Sequence, residues 1–200
     1  MKGSIIIVSF FIAGVLLGRF VDIPAILTAE APTLYVLYIL MFLVGISIGS
    51  DKKALQALKQ QNLKIVLVPL ATVIGTLIGS ALISFALSGR SITDCLAVGS
   101  GFGYYSLSSI FITQYKGAEL GTIALVSNIM RELLALLAAP LLVRYFGKLA
   151  PISVGGATTA DTTLPIITKF CGKEFVVISI VHGITVDLSV PFLVTFFCTI

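Results

Sequence analysis

Apolar runs of membrane-crossing length alternate with short polar connectors along this chain. Residues 4–21 are apolar apart from Ser4, Ser9 and Arg19, and residues 33–50 read TLYVLYILMFLVGISIGS. Residues 65–87 form a third run that holds Pro69, Gly75 and Gly79. Four more follow, at 93–114, 120–146, 152–170 and 175–198. A bilayer core takes about 20 apolar residues per crossing helix. The pattern therefore predicts an all-α fold: a polytopic integral membrane helical bundle of about seven hydrophobic segments, read as one transmembrane transporter domain over residues 1–200. Lys2 and the small-residue string Ala29-Glu30-Ala31 imitate a cleaved leader. The first run has anchor length, however, and others follow it, so it is expected to stay as a membrane helix.

Composition agrees. The chain is 58% hydrophobic and 11% charged, with a mean hydropathy of +1.11, whereas a soluble domain carries about 25% charged residues. A net charge of +4 does not make a nucleic-acid binder, because the basic residues form no stripe with interleaved aromatics. One histidine, and cysteines at 95, 171 and 198 without C-x-x-C spacing, leave no metal or cofactor expected and the thiols free. No serine pairs with His182 at a readable spacing, so an enzyme is not expected. The dense basic loop, 51–64, sets Lys52, Lys53, Lys59 and Lys64 against Asp51 and marks the cytoplasmic side. The N-terminus is then inside and the C-terminus outside. This charge bias fits seven crossings, and equally five crossings plus two re-entrant segments.

Two stretches break the apolar pattern, near 99–106 and 155–165. In the first, Gly99, Gly101 and Gly103 alternate among Ser100, Tyr104, Tyr105, Ser106, Ser108 and Ser109; each glycine weakens a helix by about 1 kcal/mol. Irregular backbone at membrane depth survives only against protein or a watery cavity. Gly101, Gly103, Tyr104 and Ser106 are candidate pathway-lining residues, with tight helix packing as the rival explanation. In the second stretch, Gly155 and Gly156 precede Thr158, Thr159, Thr162 and Thr163 around Asp161, then Pro165. That predicts an interrupted helix restarting near Asp161, a construction used by secondary transporters at their binding sites. Gly155 and Gly156 join the lining candidates, and Asp161, Thr159 and Thr162 are candidates for binding substrate or proton.

Ionisable residues also occur inside the apolar runs. Arg131 and Glu132 are adjacent near the middle of 120–146, with Asn128 one turn earlier; His182 and Asp187 lie within 175–198. A charge at the bilayer centre costs at least about 2.5–3.5 kcal/mol, so Asn128, Arg131, Glu132, Asp161, His182 and Asp187 are expected around a shared polar hollow, and Asn128, Arg131, Glu132, His182 and Asp187 join the candidates for binding substrate or proton.

In this order, FLVGISIG (42–49), SGFGYYSLSS (100–109), NIMREL (128–133), GGATTADTTLP (155–165) and IVHGITVDLSVP (180–191) resemble the LysO-type lysine exporter family over nearly the whole chain. The resemblance implies export of L-lysine and toxic lysine analogues from the bacterial cytoplasm across the inner membrane, with Asp161 the family's functional intramembrane aspartate. Longer members begin with further membrane helices. The resemblance therefore implies a partner for this chain, either a small membrane protein supplying those helices or a second copy. Two rival functions remain at this level: a non-transporting subunit of a two-component transporter, and a cation/proton antiporter of related architecture.

Overall fold

The computed structural model describes residues 66–200 except position 88, with a few isolated positions before residue 51. The basic loop 51–64 lies outside the described residues, as do most of the first two apolar runs. By its contacts the chain divides into Met1–Ser47 and Ile48–Ile200. In the first unit, the described positions Tyr35, Ile39, Phe42 and Ile46 are helical and exposed.

The regular elements of the second unit are helices among its described residues: α1 (Leu67–Ser84), α2 (Ile92–Gly99), α3 (Tyr105–Lys116), α4 (Ala118–Phe146), α5 (Ala150–Gly155), a 3-10 turn (Gly156–Ala160), α6 (Leu164–Cys171), a second 3-10 turn (Lys173–Phe175) and α7 (Val176–Thr199). Among the described residues, three helical stretches are long and apolar enough to cross a membrane: Leu67–Ser84, Ala118–Phe146 and Lys173–Thr199. Their surfaces are inverted relative to a soluble protein. Leu67, Leu70, Ile74, Ile78 and Leu82 stand exposed along α1, while Thr72, Asn128, Thr159 and His182 are buried. Lipid solvates the former, and only protein can satisfy the latter.

The segments between these helices do not cross. Lys116, at the end of α3, pairs with Asp94, at the start of α2, across 3.6 Å; as one straight helix the chain would separate these positions by about 33 Å. Arg90 and Glu119 pair at the same end of the bundle. Lys148, before α5, likewise meets Glu174, after α6, at 3.0 Å, where a straight helix would put about 39 Å between them. Ile152 of α5 packs with Ile167 and Cys171 of α6 in one apolar cluster, joined by Val68, Val143 and Phe175. Thus α2–α3 and α5–α6 are re-entrant hairpins that enter from opposite ends of the bundle.

Local chemistry starts and stops each arm. Ser91 and Asp94 form a reciprocal capping box on α2: the Asp94 N–H donates to Ser91 Oγ at 3.0 Å, and the Ser91 N–H to the Asp94 carboxylate at 3.4 Å. Pro151 and Pro165 sit in the first turns of α5 and α6, where a missing N–H costs nothing.

In a background with Cys95, Cys171 and Cys198 replaced by serine, cysteines at Ser91 and Ala118 are expected to react with an impermeant maleimide from one side of the membrane, and cysteines at Leu149 and Lys173 from the other. Ser91 and Ala118 labelling from opposite sides would mean that α2–α3 crosses.

Candidate functional site

The tips of the two hairpins touch. The first tip is the bend Ser100–Tyr104, where Phe102 adopts φ +46° and Gly103 φ +94°. The second is the 3-10 turn that begins at Gly156, φ +63°. The Ala157 N–H donates to Phe102 O at 2.9 Å, joining one break to the other. A Cβ at position 156 would lie 2.0 Å from Phe102 O, and one at 103 would lie 3.1 Å from Gly155 O. Gly101 and Gly155 are equally enclosed: a Cβ would meet Asn128 Nδ2 at 2.5 Å and Thr159 Cγ2 at 2.6 Å, respectively. Gly103 and Gly156 let the two backbones approach, whereas Gly101 and Gly155 make room for the side chains of Asn128 and Thr159. Tyr104 is half-buried and Ser106 exposed.

Helix α4 supplies the polar partners that lipid cannot. Asn128, 3% exposed, accepts the Gly103 N–H at 2.7 Å through Oδ1. Its Nδ2 donates to Ala124 O at 2.9 Å and Val98 O at 3.3 Å. One turn on, Arg131 serves the other break: Nε donates to Val154 O at 2.9 Å and Nη2 to Ser153 O at 3.0 Å. These carbonyls end α5, the negative pole of that half-helix. Nη1 reaches Thr76 of α1 at 3.2 Å, and the guanidinium lies 5.7 Å from the centre of the Phe102 ring. Asn128 and Arg131 are therefore a clamp on both breaks.

His182 belongs to this enclosed side. It is wholly buried, with Thr159 at 3.1 Å from Nδ1 and Thr72 at 2.9 Å from Nε2. Thr159 also donates to the carbonyls of Gly156 and Ser179. Gly183 of α7 presses on the same turn, since a Cβ there would lie 2.5 Å from Ala160 N.

Asp161, Asp187 and Tyr104 form a second, more open group. Asp161 and Thr162 are exposed at the foot of α6, and the Asp161 carboxylate accepts the Thr162 N–H. Asp187 is one turn beyond Gly183 on the same face of α7. Because Gly183 abuts Ala160, that register turns Asp187 toward the side of α7 on which the chain runs into Asp161. The two carboxylates are within electrostatic reach of each other and of the Tyr104 hydroxyl. Glu132 is half-buried, with no ion-pair partner among the described residues. Asn128, Arg131, His182 and Thr159 thus form a hydrogen-bonded clamp, with Asp161 exposed and Asp187 half-buried apart from it. Among the described residues no cluster of His, Cys, Asp and Glu is arranged to hold a metal.

The chain matches the family described as lysine exporter LysO over residues 8–198. It belongs to that family. The protein named lysine exporter LysO from Escherichia coli is 37% identical over 163 residues, which are 82% of this chain and 54% of that protein. A putative lysine exporter from Haemophilus influenzae is 38% identical over 164 residues, 82% of this chain and 83% of that protein. The chain thus spans about half the length of the Escherichia coli LysO protein. No solved structure matches it.

Within this LysO-family chain, Thr72, Thr76 and Phe102 are the site residues that sequence reading passes over. A threonine or phenylalanine inside an apolar helix is unremarkable until its partner is known. The recurrence of Thr72, Thr76 and Ser80 at intervals of four was the available signal. Asn128→Leu is expected to destabilise the detergent-solubilised chain by about 1–3 kcal/mol for each group left unpaired, read as a lower thermal midpoint. Asn128→Asp, which keeps the acceptor for Gly103, should fall between. Arg131→Lys should also destabilise, because a point charge cannot fork onto two carbonyls.

Proposed function

We propose that this chain forms the solute-handling part of a secondary transporter that exports L-lysine and lysine analogues from the bacterial cytoplasm by proton antiport. The observation that carries the reading is the Asp161–Asp187 group at the meeting point of two re-entrant hairpins. Lysine brings two ammonium groups and one carboxylate. Two carboxylates within electrostatic reach of each other can receive the ammonium groups through charge-assisted hydrogen bonds. The start of α3, beside Tyr104, has no side-chain cap; its free N–H groups and positive dipole end suit the solute carboxylate. Arg131 does not take that role, since its nitrogens are engaged by Ser153, Val154 and Thr76. Thr162 and Tyr104 line the approach.

Orientation follows from charge. Arg144, Lys148, Lys169 and Lys173 gather at the end of the bundle where α1 begins. At the opposite end, Arg90 and Lys116 are each paired with an acid. In this reading the positive-inside bias supports a cytoplasmic position for the first end, with the C-terminus on the far side of the inner membrane. A small membrane protein or a second copy completes the exporter in this reading.

The test is efflux from an exporter-deficient host fed lysyl dipeptide, with the chain expressed alone and with its candidate partner. Asp161→Asn, at matched membrane abundance, is expected to cut lysine efflux at least about tenfold, the worth of one hydrogen bond to a charged group. Asp161→Glu should be intermediate. Wild-type efflux from Asp161→Asn would end this reading.

A further inference from the structure

Hydrogen counting around the lone histidine decides which ring nitrogen carries the proton. Thr159 Oγ1 has three neighbours: Gly156 O at 2.8 Å, Ser179 O at 3.0 Å and His182 Nδ1 at 3.1 Å. A threonine hydroxyl has one hydrogen, and carbonyls only accept. The hydrogen must lie toward the carbonyls, because otherwise two close oxygen pairs would be buried with no hydrogen in either. The remaining contact is then a bond only if Nδ1 bears a hydrogen and donates it to Thr159. The neutral ring keeps a lone pair on Nε2, and the Thr72 hydroxyl, 2.9 Å away, donates into it.

The charged surroundings fit an uncharged ring. From α4, Arg131 reaches Thr76, one turn along α1 from Thr72. Asp161 is two residues beyond Thr159, and Asp187 is five residues along α7. Among the described residues no carboxylate forms an ion pair with the imidazole.

We propose that His182 is a positioning residue, a neutral Nδ1–H imidazole that fastens α1 to the 3-10 turn and thereby fixes where Asp161 is presented. Its action on transport rests on the reading in which Asp161 receives the solute; its tautomer does not. Thr72 and Thr159 are the two anchors of the bridge, and the Thr76–Arg131 bond is the parallel tie one turn along α1.

The chain has one histidine, so histidine-selective 15N labelling of the full chain in nanodiscs reports a single ring. The expected spectrum has Nδ1 protonated and Nε2 bare from about pH 5 to 8, the range in which an ordinary histidine titrates. Thr159→Val removes the acceptor and should move the proton to Nε2, which then donates to Thr72; Thr159→Ser should restore the wild-type spectrum. In the efflux assay, His182→Gln, whose amide supplies one donor and one acceptor, should keep lysine efflux with an unshifted pH profile. His182→Leu should lose about tenfold, the worth of a buried hydrogen-bond partner. A bare Nδ1 in the wild type, or a ring that takes a second proton in that range, would overturn the proposal. So would a folded His182→Gln chain without efflux. A wild type that moves no lysine sinks the exporter reading instead, and the NMR arm still decides the tautomer.

Discussion

A backbone that breaks at mid-bilayer exposes N–H and C=O groups that hydrocarbon cannot satisfy, each at a cost of several kcal/mol. This chain breaks twice in that setting and meets the cost by bringing the breaks together. One tip donates to the other through Ala157 N–H and Phe102 O. A single helix passing both carries Asn128 for the first and Arg131 for the second. The close approach requires glycine at 156, and the clamp requires a bidentate donor at 131. The re-entrant architecture stands on this cluster of mutual satisfaction.

The clamp also divides the ionisable residues by role. Groups that are hydrogen-bonded inside the protein (Arg131, His182, Thr159, Asn128) form the floor of the site. Asp161 lies next to that floor, on a turn held by Thr158 and Thr159, with its carboxylate outward. In the proposed reading, a carboxylate fixed by its neighbours and left open itself would meet the solute as a preorganised charge, with little ordering left to oppose binding. Intramembrane charge alone does not separate these roles. Arg131 and Asp161 both look costly in an apolar run, yet Arg131 donates to two backbone carbonyls and a threonine hydroxyl, whereas among the described residues the Asp161 carboxylate accepts a hydrogen bond from its neighbouring N–H alone.

Joining the two hairpins has a mechanical consequence. Asn128 and Arg131 are on one helix, so the tips are tied to a common spine. Helix α1 meets them through side chains, at Thr72 and Thr76, and not through its backbone. Side-chain ties of this sort can be exchanged one at a time, whereas the Ala157–Phe102 backbone bond sits where a Cβ at 156 would find no room.

Sequence alone determined the class, the apolar runs, the positions of both breaks and the residues that would be expensive in lipid, because hydropathy, glycine content and charge are local properties that act at the residue itself. It also pointed to the family, through motifs spread along most of the chain. It did not determine whether 93–114 and 152–170 cross or double back. Loop charges are compatible with both, and the answer lies in ion pairs between positions far apart, Lys116 with Asp94 and Lys148 with Glu174. Nor did it separate clamp from open carboxylate, or reveal Thr72 and Thr76. A hydrogen bond has two ends, and a residue's type declares only one; which distant backbone or side chain supplies the other is decided when the helices pack.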